Sequence, residues 1–232
     1  MIVYGRNPVR EAIRGPRTVS RVWATKNATR EGWVDAVGPL VVGAEEIEDR
    51  CGSSAHQGVC ADVSEYVYAA ADDLLAVPDP FLVALDQVQD PQNLGAICRT
   101  AECAGATAVV VPERRSAEVT PAVCKASAGA VEYLAIARVR NLADFLTDAK
   151  AAQCWCYGAD GSGKTRYTDV DYGGGVVLVL GSEGQGLRPR VADACDALVA
   201  LPLRGRIESL GVSAAAAVLV YAVARGRCEP TQ

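Results

Sequence analysis

The amino-acid sequence predicts an α/β fold, with a mostly parallel sheet preceded by a small α/β block. From Phe81 onward, short apolar runs of strand length alternate with stretches of helical periodicity. Such alternation is typical of parallel strands whose connecting helices cover both faces of a sheet. Residues 68–80 are acidic and contain alanine and proline, which predicts a linker. We therefore expect one domain over residues 1–67 and another over residues 81–232.

The individual elements follow from the same periodicities. In the first block we predict a helix at 7–14, a strand at 19–24 and a strand near 58–63. The second block has six apolar runs of strand length: FLVAL (81–85), AVVVP (108–112), LAIARV (134–139), CWCY (154–157), VVLVL (176–180) and ALVALPL (197–203). Helices are expected from residue 94, near 121–129, at 142–152, near 189–194 and from about 212 to 225.

Composition limits the class of protein. Half of the 232 residues are apolar and the mean hydropathy is +0.12, as in globular chains. The amino terminus is charged at once, and the longest apolar run, 212–224, is too short to span a bilayer. We expect a soluble, cytoplasmic protein without a membrane partner. Nine scattered cysteines and the single histidine, His56, favour free thiols over a metal site or a histidine-activated nucleophile.

The charge is unevenly distributed. The net charge of −5 argues mildly against a nucleic-acid partner. Residues 1–30, however, carry seven cations against Glu11 alone, whereas residues 31–80 carry eleven acids against Arg50 alone. Counterion release depends on a local basic face, so an RNA-binding surface that includes Arg6 and Arg10 is possible. The alternative interpretation is a solvated, arginine-rich helix.

The segment LDQVQDPQNLGAICRTAECAG (85–105) is the most informative. A buried strand is followed by a turn over 86–93, where Asp90 precedes Pro91, and then by a helix that Gly105 terminates. Asn93 and Arg99 then lie on or beside the first turns of a helix at the carboxyl end of a strand. Ligands bind at this position in open α/β sheets.

Residues 158–165, GADGSGKT, satisfy the pattern of a nucleotide-binding P-loop but lack its context. A P-loop needs a helix that begins at its lysine and threonine, and the sequence RYTDVDYGGG that follows has no helical periodicity. We interpret the segment as a turn at the end of a strand. Lys164 and Arg166 are then free to contact a phosphate backbone.

Two further polar segments follow strands. GSEGQGL begins at Gly181 and places Glu183 among three glycines, which allow the backbone to approach a ligand closely. LPLRGRIESLGVS begins at Leu201 and precedes an alanine-rich helix, for which Ser209 and Ser213 are N-cap candidates. That helix is apolar nearly all round, so we expect it in the core or in a subunit interface.

Together, in this order, three segments resemble the motifs of the TrmH/SpoU family of RNA ribose 2′-O-methyltransferases: DQVQDPQNLGAICRTA, VLGSEGQGL and LPLRGRIESLGVSAAAA. YGRNPVREAI and HQGV in the first block resemble that family's small, L30e-like RNA-binding domain. The arrangement is most similar to the branch that methylates guanosine in 23S rRNA. The resemblance implies a SPOUT fold with a deep carboxyl-terminal trefoil knot, a homodimer formed through the knotted domain, and S-adenosylmethionine as cofactor.

The resemblance also assigns residues. It implies that Arg99, Asn93, Glu183 and Ser209 serve catalysis, and that the cofactor lies against a further set: Gly181, Leu201, Leu203, Ile207 and Leu210. A guanidinium is effectively always protonated, so we expect Arg99 to hold a phosphate and stabilise the developing alkoxide rather than act as a base.

The sequence departs from the family at one place, since the last motif has Gly211 where the family has asparagine. The main hypothesis is an active ribosomal RNA methyltransferase. The alternatives are a transfer-RNA or resistance-type rRNA methyltransferase, and a non-catalytic RNA-binding protein that retains the knot.

Overall fold

A computed structural model of the chain describes residues 1–207 and 209–228. The amino-terminal block is a four-stranded sheet in the order β1-β4-β2-β3, in which β4 runs antiparallel to β1 and β2. Its elements are β1 (Ile2–Tyr4), α1 (Arg6–Arg14), β2 (Val19–Ala24), α2 (Gly32–Ala36), β3 (Leu40–Val41), α3 (Ala44–Cys51) and β4 (Val59–Val63). The predicted helix and both predicted strands are confirmed. The remaining elements of this block are too short for a periodic pattern. Helix α3, for example, buries only Ile47.

The larger block is a seven-stranded sheet in the order β7-β6-β5-β10-β8-β11-β9, and every pairing in it is parallel. Its strands are β5 (Phe81–Asp86), β6 (Ala108–Pro112), β7 (Ala135–Val139), β8 (Cys154–Ala159), β9 (Thr165–Arg166), β10 (Gly175–Gly181) and β11 (Ala197–Ala200). The helices before, between and after these strands are α4 (Ala71–Leu75), α5 (Pro91–Cys103), α6 (Pro121–Ala126), α7 (Leu142–Ala151), α8 (Pro189–Ala194) and α9 (Val212–Cys228). The predicted parallel α/β architecture is confirmed.

Both faces of the large sheet are covered, as continuous apolar strands require. Along β5, Phe81, Val83 and Leu85 belong to one core, and Leu82 and Ala84 belong to the other. Because the side chains of a strand alternate between faces, a strand buried on both sides reads as an unbroken apolar run.

Several boundaries differ from the predictions; the apolar run at 197–203, for example, is a strand only as far as Ala200. Helix α5 begins at Pro91 rather than at residue 94, because the Asp90 side chain accepts a hydrogen bond from the Gln92 N–H (2.9 Å) and proline suits a first turn. The segment predicted as a linker contains α4, with Leu74 buried, and the Ala69 N–H donates to the Ile136 carbonyl oxygen (2.9 Å). The segment therefore packs along the large sheet.

The two blocks meet around a buried ion pair. Arg17 Nε lies 2.8 Å from Glu132 Oε2, and a second guanidinium nitrogen contacts Glu132 Oε1. Both side chains are at least nine-tenths buried. Burial disfavours the charged guanidinium, but the hydrogen bond and charge of Glu132 hold the pKa of Arg17 above its ordinary value. This contact fixes the amino-terminal block against the large sheet.

The strand order reverses direction at β5. From β5 the chain builds β6 and β7 on one side, while β10, β8 and β11 lie on the other. A crevice forms at such a reversal, outside the carboxyl ends of the two central strands. Helix α9 returns from β11 to pack on α5 and β10. The trefoil knot itself stays a prediction, since strand order does not define threading.

Candidate functional site

The first wall of the crevice follows β5. Gln87 adopts a left-handed conformation (φ 62°) and turns the chain out of the strand, and Val88 remains buried. Asp90 then caps α5, which places the half-buried Asn93 in its first turn. The amide of Asn93 therefore faces the crevice from a rigid helix rather than from a loop.

The second wall is a tight turn after β10. Ser182 and Gly186 exchange two backbone hydrogen bonds of 3.1 and 3.0 Å, which project Glu183 at the tip. A Cβ atom on Gly181 would overlap the backbone of Gly186, so this turn requires glycine at residue 181. The carboxylate of Glu183 is exposed to solvent at the mouth of the crevice.

The third wall begins α9. Glu183 Oε1 accepts a hydrogen bond from the Val212 N–H (3.4 Å), and the Gly211 carbonyl oxygen accepts from the Ala215 N–H (3.0 Å). Helix α9 thus begins at Val212, and Glu183 rather than Ser209 or Ser213 satisfies its first amide. A carboxylate is favoured there by the partial positive charge of a helix N-terminus.

An ion pair between the buried Asp86 and the exposed Arg188 holds the first two walls together. Asp86, at the end of β5, is fully buried and accepts from the Arg188 N–H (2.8 Å) and from Arg188 Nε (2.8 Å). Arg188 immediately precedes α8 and follows the Glu183 turn. The sequence patterns do not predict this pair. The available signal was a carboxylate that ends an otherwise apolar strand, but nothing in the sequence indicates its partner.

The three walls enclose two adjoining clefts, which share Ser182, Glu183 and Val212. The smaller has a volume of about 250 Å³ and lies between the loop after β5 and the Glu183 turn. The larger has a volume of about 540 Å³ and lies between that turn and the start of α9. Glu183 therefore stands on the boundary of two compartments, an arrangement suited to bringing two ligands together.

Models of two known protein families match this chain. A model described as the SpoU rRNA Methylase family matches residues 80–221, more than half of the chain. The chain belongs to this family. A second model, described as RNA 2′-O ribose methyltransferase substrate binding, matches residues 2–69. The predicted TrmH/SpoU membership is confirmed, and the protein is an RNA methyltransferase.

Relatives cover nearly the whole chain. A protein of Bacillus subtilis, assigned by its name to the TrmH family of tRNA/rRNA methyltransferases, is 38% identical over 97% of this chain and 95% of its own length. An uncharacterised tRNA/rRNA methyltransferase of Mycobacterium avium is 36% identical over 97% of this chain and 77% of its own.

Solved structures agree on the fold. An AdoMet-bound rRNA methyltransferase from Sinorhizobium meliloti is 28% identical, with a TM-score of 0.80 over 97% of this chain and 86% of its own. The SpoU methyltransferase AviRb from Streptomyces viridochromogenes, in complex with AdoMet, has a TM-score of 0.84 over 100% of this chain and 91% of its own at 24% identity. S-adenosylmethionine, the cofactor that the sequence predicts, is thus present in both.

The SpoU motif residues converge in part. The smaller cleft is lined by Asn93 and Glu183. The larger is lined by Gly181, Glu183, Ser209 and Leu210. Residues that are distant in sequence therefore meet at one edge of the sheet.

Four other predicted residues lie outside the two clefts of the described chain. Leu201 is half-buried, and Leu203 and Ile207 are 43% and 77% exposed. Arg99 is exposed on α5, about 9 Å along the helix from Asn93. Within residues 1–207 and 209–228, Arg99 makes no hydrogen bond or ion pair. Its guanidinium is therefore open to an incoming anion, and the cofactor role of the three apolar residues stays a prediction.

The four cations predicted to bind RNA fall into two pairs. Arg6 is paired with Glu31, and Arg10 Nε lies 3.0 Å from Glu11 Oε1. Lys164 and Arg166 are exposed beyond the carboxyl end of β8 and form no ion pair within the described residues. No helix follows them, since Arg166 belongs to β9 and a single 3-10 turn succeeds it. The local structure therefore lacks the helix that a P-loop needs.

Other chemistries find no support in the part of the chain that the structure describes. There, no group of His, Cys, Asp or Glu side chains is arranged to hold a metal ion, and no helix is long and apolar enough to cross a membrane. His56 is buried, and its Nδ1 accepts from the Gly58 N–H (2.9 Å). Burial raises the pKa of the Cys98 thiol to about 12 and that of Cys124 to about 11. These side chains are structural.

Proposed function

We propose that the chain transfers a methyl group from S-adenosylmethionine to a ribose 2′-oxygen of ribosomal RNA. The observation that carries this proposal is the pair of adjoining clefts that meet at Glu183, at the point where the strand order reverses. One cleft suits a cofactor and the other a nucleotide.

The larger cleft fits S-adenosylmethionine in size and chemistry. Its volume of about 540 Å³ lies within the roughly 300–1,000 Å³ of small-molecule sites. Gly181, Gly184 and Gly186 have no side chain that would keep the cofactor from the backbone, and Leu210 and Val212 offer apolar surface. When bound, the cofactor supplies the methyl group on a sulfonium sulfur, which is the electrophile.

The residues of this chain position the nucleophile. Asn93, held in the first turn of α5, orients the target nucleotide in the smaller cleft. Arg99 binds the adjacent phosphate and stabilises the negative charge that develops on the 2′-oxygen. Glu183 accepts a hydrogen bond from the Val212 N–H. Together with Ser209, it orients the nucleotide and the cofactor where the two clefts meet. In-line alignment of two reactants can supply up to about 7–11 kcal/mol of the barrier.

Gly211 is compatible with an active enzyme. Its φ is +74°, a left-handed conformation that asparagine tolerates better than most other side chains, as glycine does. The backbone therefore keeps the shape that an asparagine would have at this residue. Glu183 already occupies the neighbouring Val212 amide, which reduces what an asparagine side chain would have to do.

The target that we propose is a guanosine of 23S rRNA, which gives the protein a role in rRNA processing in the cytoplasm. The resemblance of YGRNPVREAI and HQGV to an rRNA-binding module favours this target over transfer RNA. The second model match, to a substrate-binding domain at residues 2–69, supports an RNA that contacts both blocks.

We further propose a homodimer through the knotted domain, over residues 81–232. The outer face of α9 is apolar and uncovered, with Val218 39% and Tyr221 53% exposed. An apolar stripe of this kind on a helix is typical of an interface. Tyr221→Glu should convert a dimer to a monomer in light scattering, whereas an unchanged mass would contradict this interface.

The function is tested by mapping 2′-O-methyl groups in ribosomal and transfer RNA with and without the gene. We expect one guanosine of 23S rRNA to lose its methyl group, and purified protein to restore it from S-adenosylmethionine. An RNA with 2′-deoxyguanosine at that nucleotide should accept no methyl group there. Methyl transfer to that deoxy substrate, or restored methylation of transfer RNA alone, would contradict the proposal.

A further inference from the structure

Lys125 is a cation at the junction of the two blocks, and the proposed function assigns it no role. It lies near the end of α6 and is half-buried. Its Nζ reaches across the junction to Gln57 Oε1 at 2.9 Å. Gln57 belongs to the HQGV segment of the amino-terminal block, so this bond joins the two blocks directly.

Within residues 1–207 and 209–228, the ammonium of Lys125 forms no ion pair, and its hydrogen bond ends on a neutral amide. Desolvation by burial lowers the pKa of Lys125, and no neighbouring carboxylate opposes that shift. A partly desolvated cation of this kind gains from an anion that arrives from solvent.

The surrounding backbone holds the ammonium in place. Gln57 has a left-handed conformation (φ 54°), and its Oε1 also accepts from the Arg6 N–H at 3.0 Å. Gly5 (φ 94°) is the residue before α1, and a Cβ atom there would overlap Lys125 Nζ. The sequence YGRNP and the sequence HQGV therefore both shape the pocket around this one cation.

Lys125 also lies beside the helix that carries Asn93 and Arg99. A Cβ atom on Gly95 of α5 would overlap Ala126, the residue after Lys125, so α5 and α6 pack in close contact there. Gly95 is two residues beyond Asn93. Helix α6, which carries Lys125, thus contacts both the amino-terminal block and the helix that forms a wall of the smaller cleft.

We propose that Lys125 binds a backbone phosphate of the RNA substrate at the junction between the two blocks. Gln57 orients the ammonium, and the phosphate supplies the missing charge. This inference rests on the proposed RNA methylation and adds a contact that sets how far the RNA bound by residues 1–67 lies from Asn93. A phosphate held there fixes the register of the substrate rather than its sequence.

Three variants test this contact. Lys125→Gln removes the charge, and Gln57→Glu keeps the bond while giving Lys125 a carboxylate partner. Lys150→Gln is the matched control, because it makes the same change on α7, which covers the opposite face of the large sheet, near Asp196. For each protein we would measure the affinity for a 23S rRNA transcript against salt concentration, the thermal unfolding midpoint and the rate of methyl transfer.

We expect Lys125→Gln and Gln57→Glu each to weaken RNA binding by about three- to tenfold at 0.1 M salt, on the order of one phosphate contact. The slope of log affinity against log salt should fall by about 1. The unfolding midpoint of Gln57→Glu should not fall, since its Lys125 contact becomes an ion pair. Lys150→Gln should match the unaltered protein.

The outcomes separate the two proposals. If the unaltered protein binds and methylates RNA while Lys125→Gln and Gln57→Glu keep the same affinity and salt slope, Lys125 is only a contact between blocks and the inference is wrong. If the unaltered protein binds no RNA, the proposed function fails and the inference fails with it. A lower unfolding midpoint of Lys125→Gln with unchanged RNA affinity would also assign Lys125 a purely structural role.

Discussion

The arginines of the amino-terminal block and the cations at the carboxyl edge of the large sheet carry the same kind of charge in different surroundings. Arg6 and Arg10 are paired with Glu31 and Glu11, and Arg17 is buried against Glu132. At the carboxyl edge, Lys164 and Arg166 form no ion pair within residues 1–207 and 209–228.

This difference shows why a local count of charges does not locate a binding face. The excess of cations in residues 1–30 is real, but four of the seven contact acids: Arg10 and Arg14 contact Glu11, Arg6 contacts Glu31, and Arg17 contacts Glu132, which is 115 residues away. At the carboxyl edge, Glu183 accepts a hydrogen bond from the Val212 N–H and forms no ion pair within the described residues. Lys164 and Arg166 are therefore available to a phosphate, whereas Arg6 and Arg17 already have carboxylate partners.

The largest expected effect concerns Arg17. Arg17→Met leaves the buried Glu132 carboxylate without its partner, and we expect the free energy of unfolding to fall by about 3–5 kcal/mol. Urea denaturation measures it. The double variant Arg17→Met with Glu132→Leu should recover most of the loss, because it removes the buried charge as well. A fall in the free energy of unfolding of less than about 1 kcal/mol in the single variant would show that this arginine does little to stabilise the fold.

Arg99 tests the opposite case, an arginine without a hydrogen-bond or ion-pair partner among the described residues. Arg99→Ala should leave the free energy of unfolding within about 0.5 kcal/mol, since it removes no hydrogen bond or ion pair within residues 1–207 and 209–228. The kcat of methyl transfer should fall by about 100-fold or more, as for removal of one group that stabilises an oxyanion. Calorimetry should show unchanged affinity for S-adenosylmethionine, because Arg99 does not line the larger cleft.

Arg99→Lys is the control that separates charge from geometry. It keeps the positive charge but loses the planar, two-pronged contact to a phosphate, so its kcat should lie between those of the unaltered protein and Arg99→Ala. If Arg99→Ala instead abolishes cofactor binding, then Arg99 belongs to the cofactor site and its proposed role is wrong.

The sequence predicted those parts of the molecule whose pattern is local. Strands β5 and β10 were recognised because they are buried on both faces and read as unbroken apolar runs. Strands β3 and β9 have two residues each, which is too short for any period. Their existence depends on the neighbouring strand that pairs with them.

The same distinction holds for the site. Asn93, Glu183 and Ser209 lie within recognisable motifs, and the structure brings each of them to one or both of the clefts. The pair of Asp86 and Arg188 was not predicted, since its members are 102 residues apart and neither belongs to a repeating pattern. Contacts of this range are set by the fold, which sequence spacing alone does not contain.

A smaller effect is expected at Gly211, which precedes α9 and lies beside Glu183 at the carboxyl edge of the sheet. A Cβ atom on Gly211 would lie 3.4 Å from Glu183 Oε1, and the φ is left-handed. Gly211→Val should cost about 1–2 kcal/mol of unfolding free energy and should lower kcat by crowding Glu183. Gly211→Asn should cost less than about 0.5 kcal/mol and should keep or raise kcat. Equal losses in both variants would show that the backbone conformation is not what selects glycine here.

The smallest effects compare the two regions directly, through the salt dependence of RNA binding. Lys164→Ala and Arg166→Ala should each weaken binding of a 23S rRNA transcript by about three- to fivefold and lower the salt slope by about 0.7–0.9, because each cation forms no ion pair within the described residues and releases one counterion on binding. Arg6→Ala should change affinity by less than about twofold, since Glu31 already neutralises that guanidinium. Thermal unfolding of all three is the control, and no midpoint should move by more than about 2 °C. If Arg6→Ala lowers the slope as much as Lys164→Ala does, the pairing with Glu31 opens on contact with RNA, and the amino-terminal arginines belong to the binding face after all.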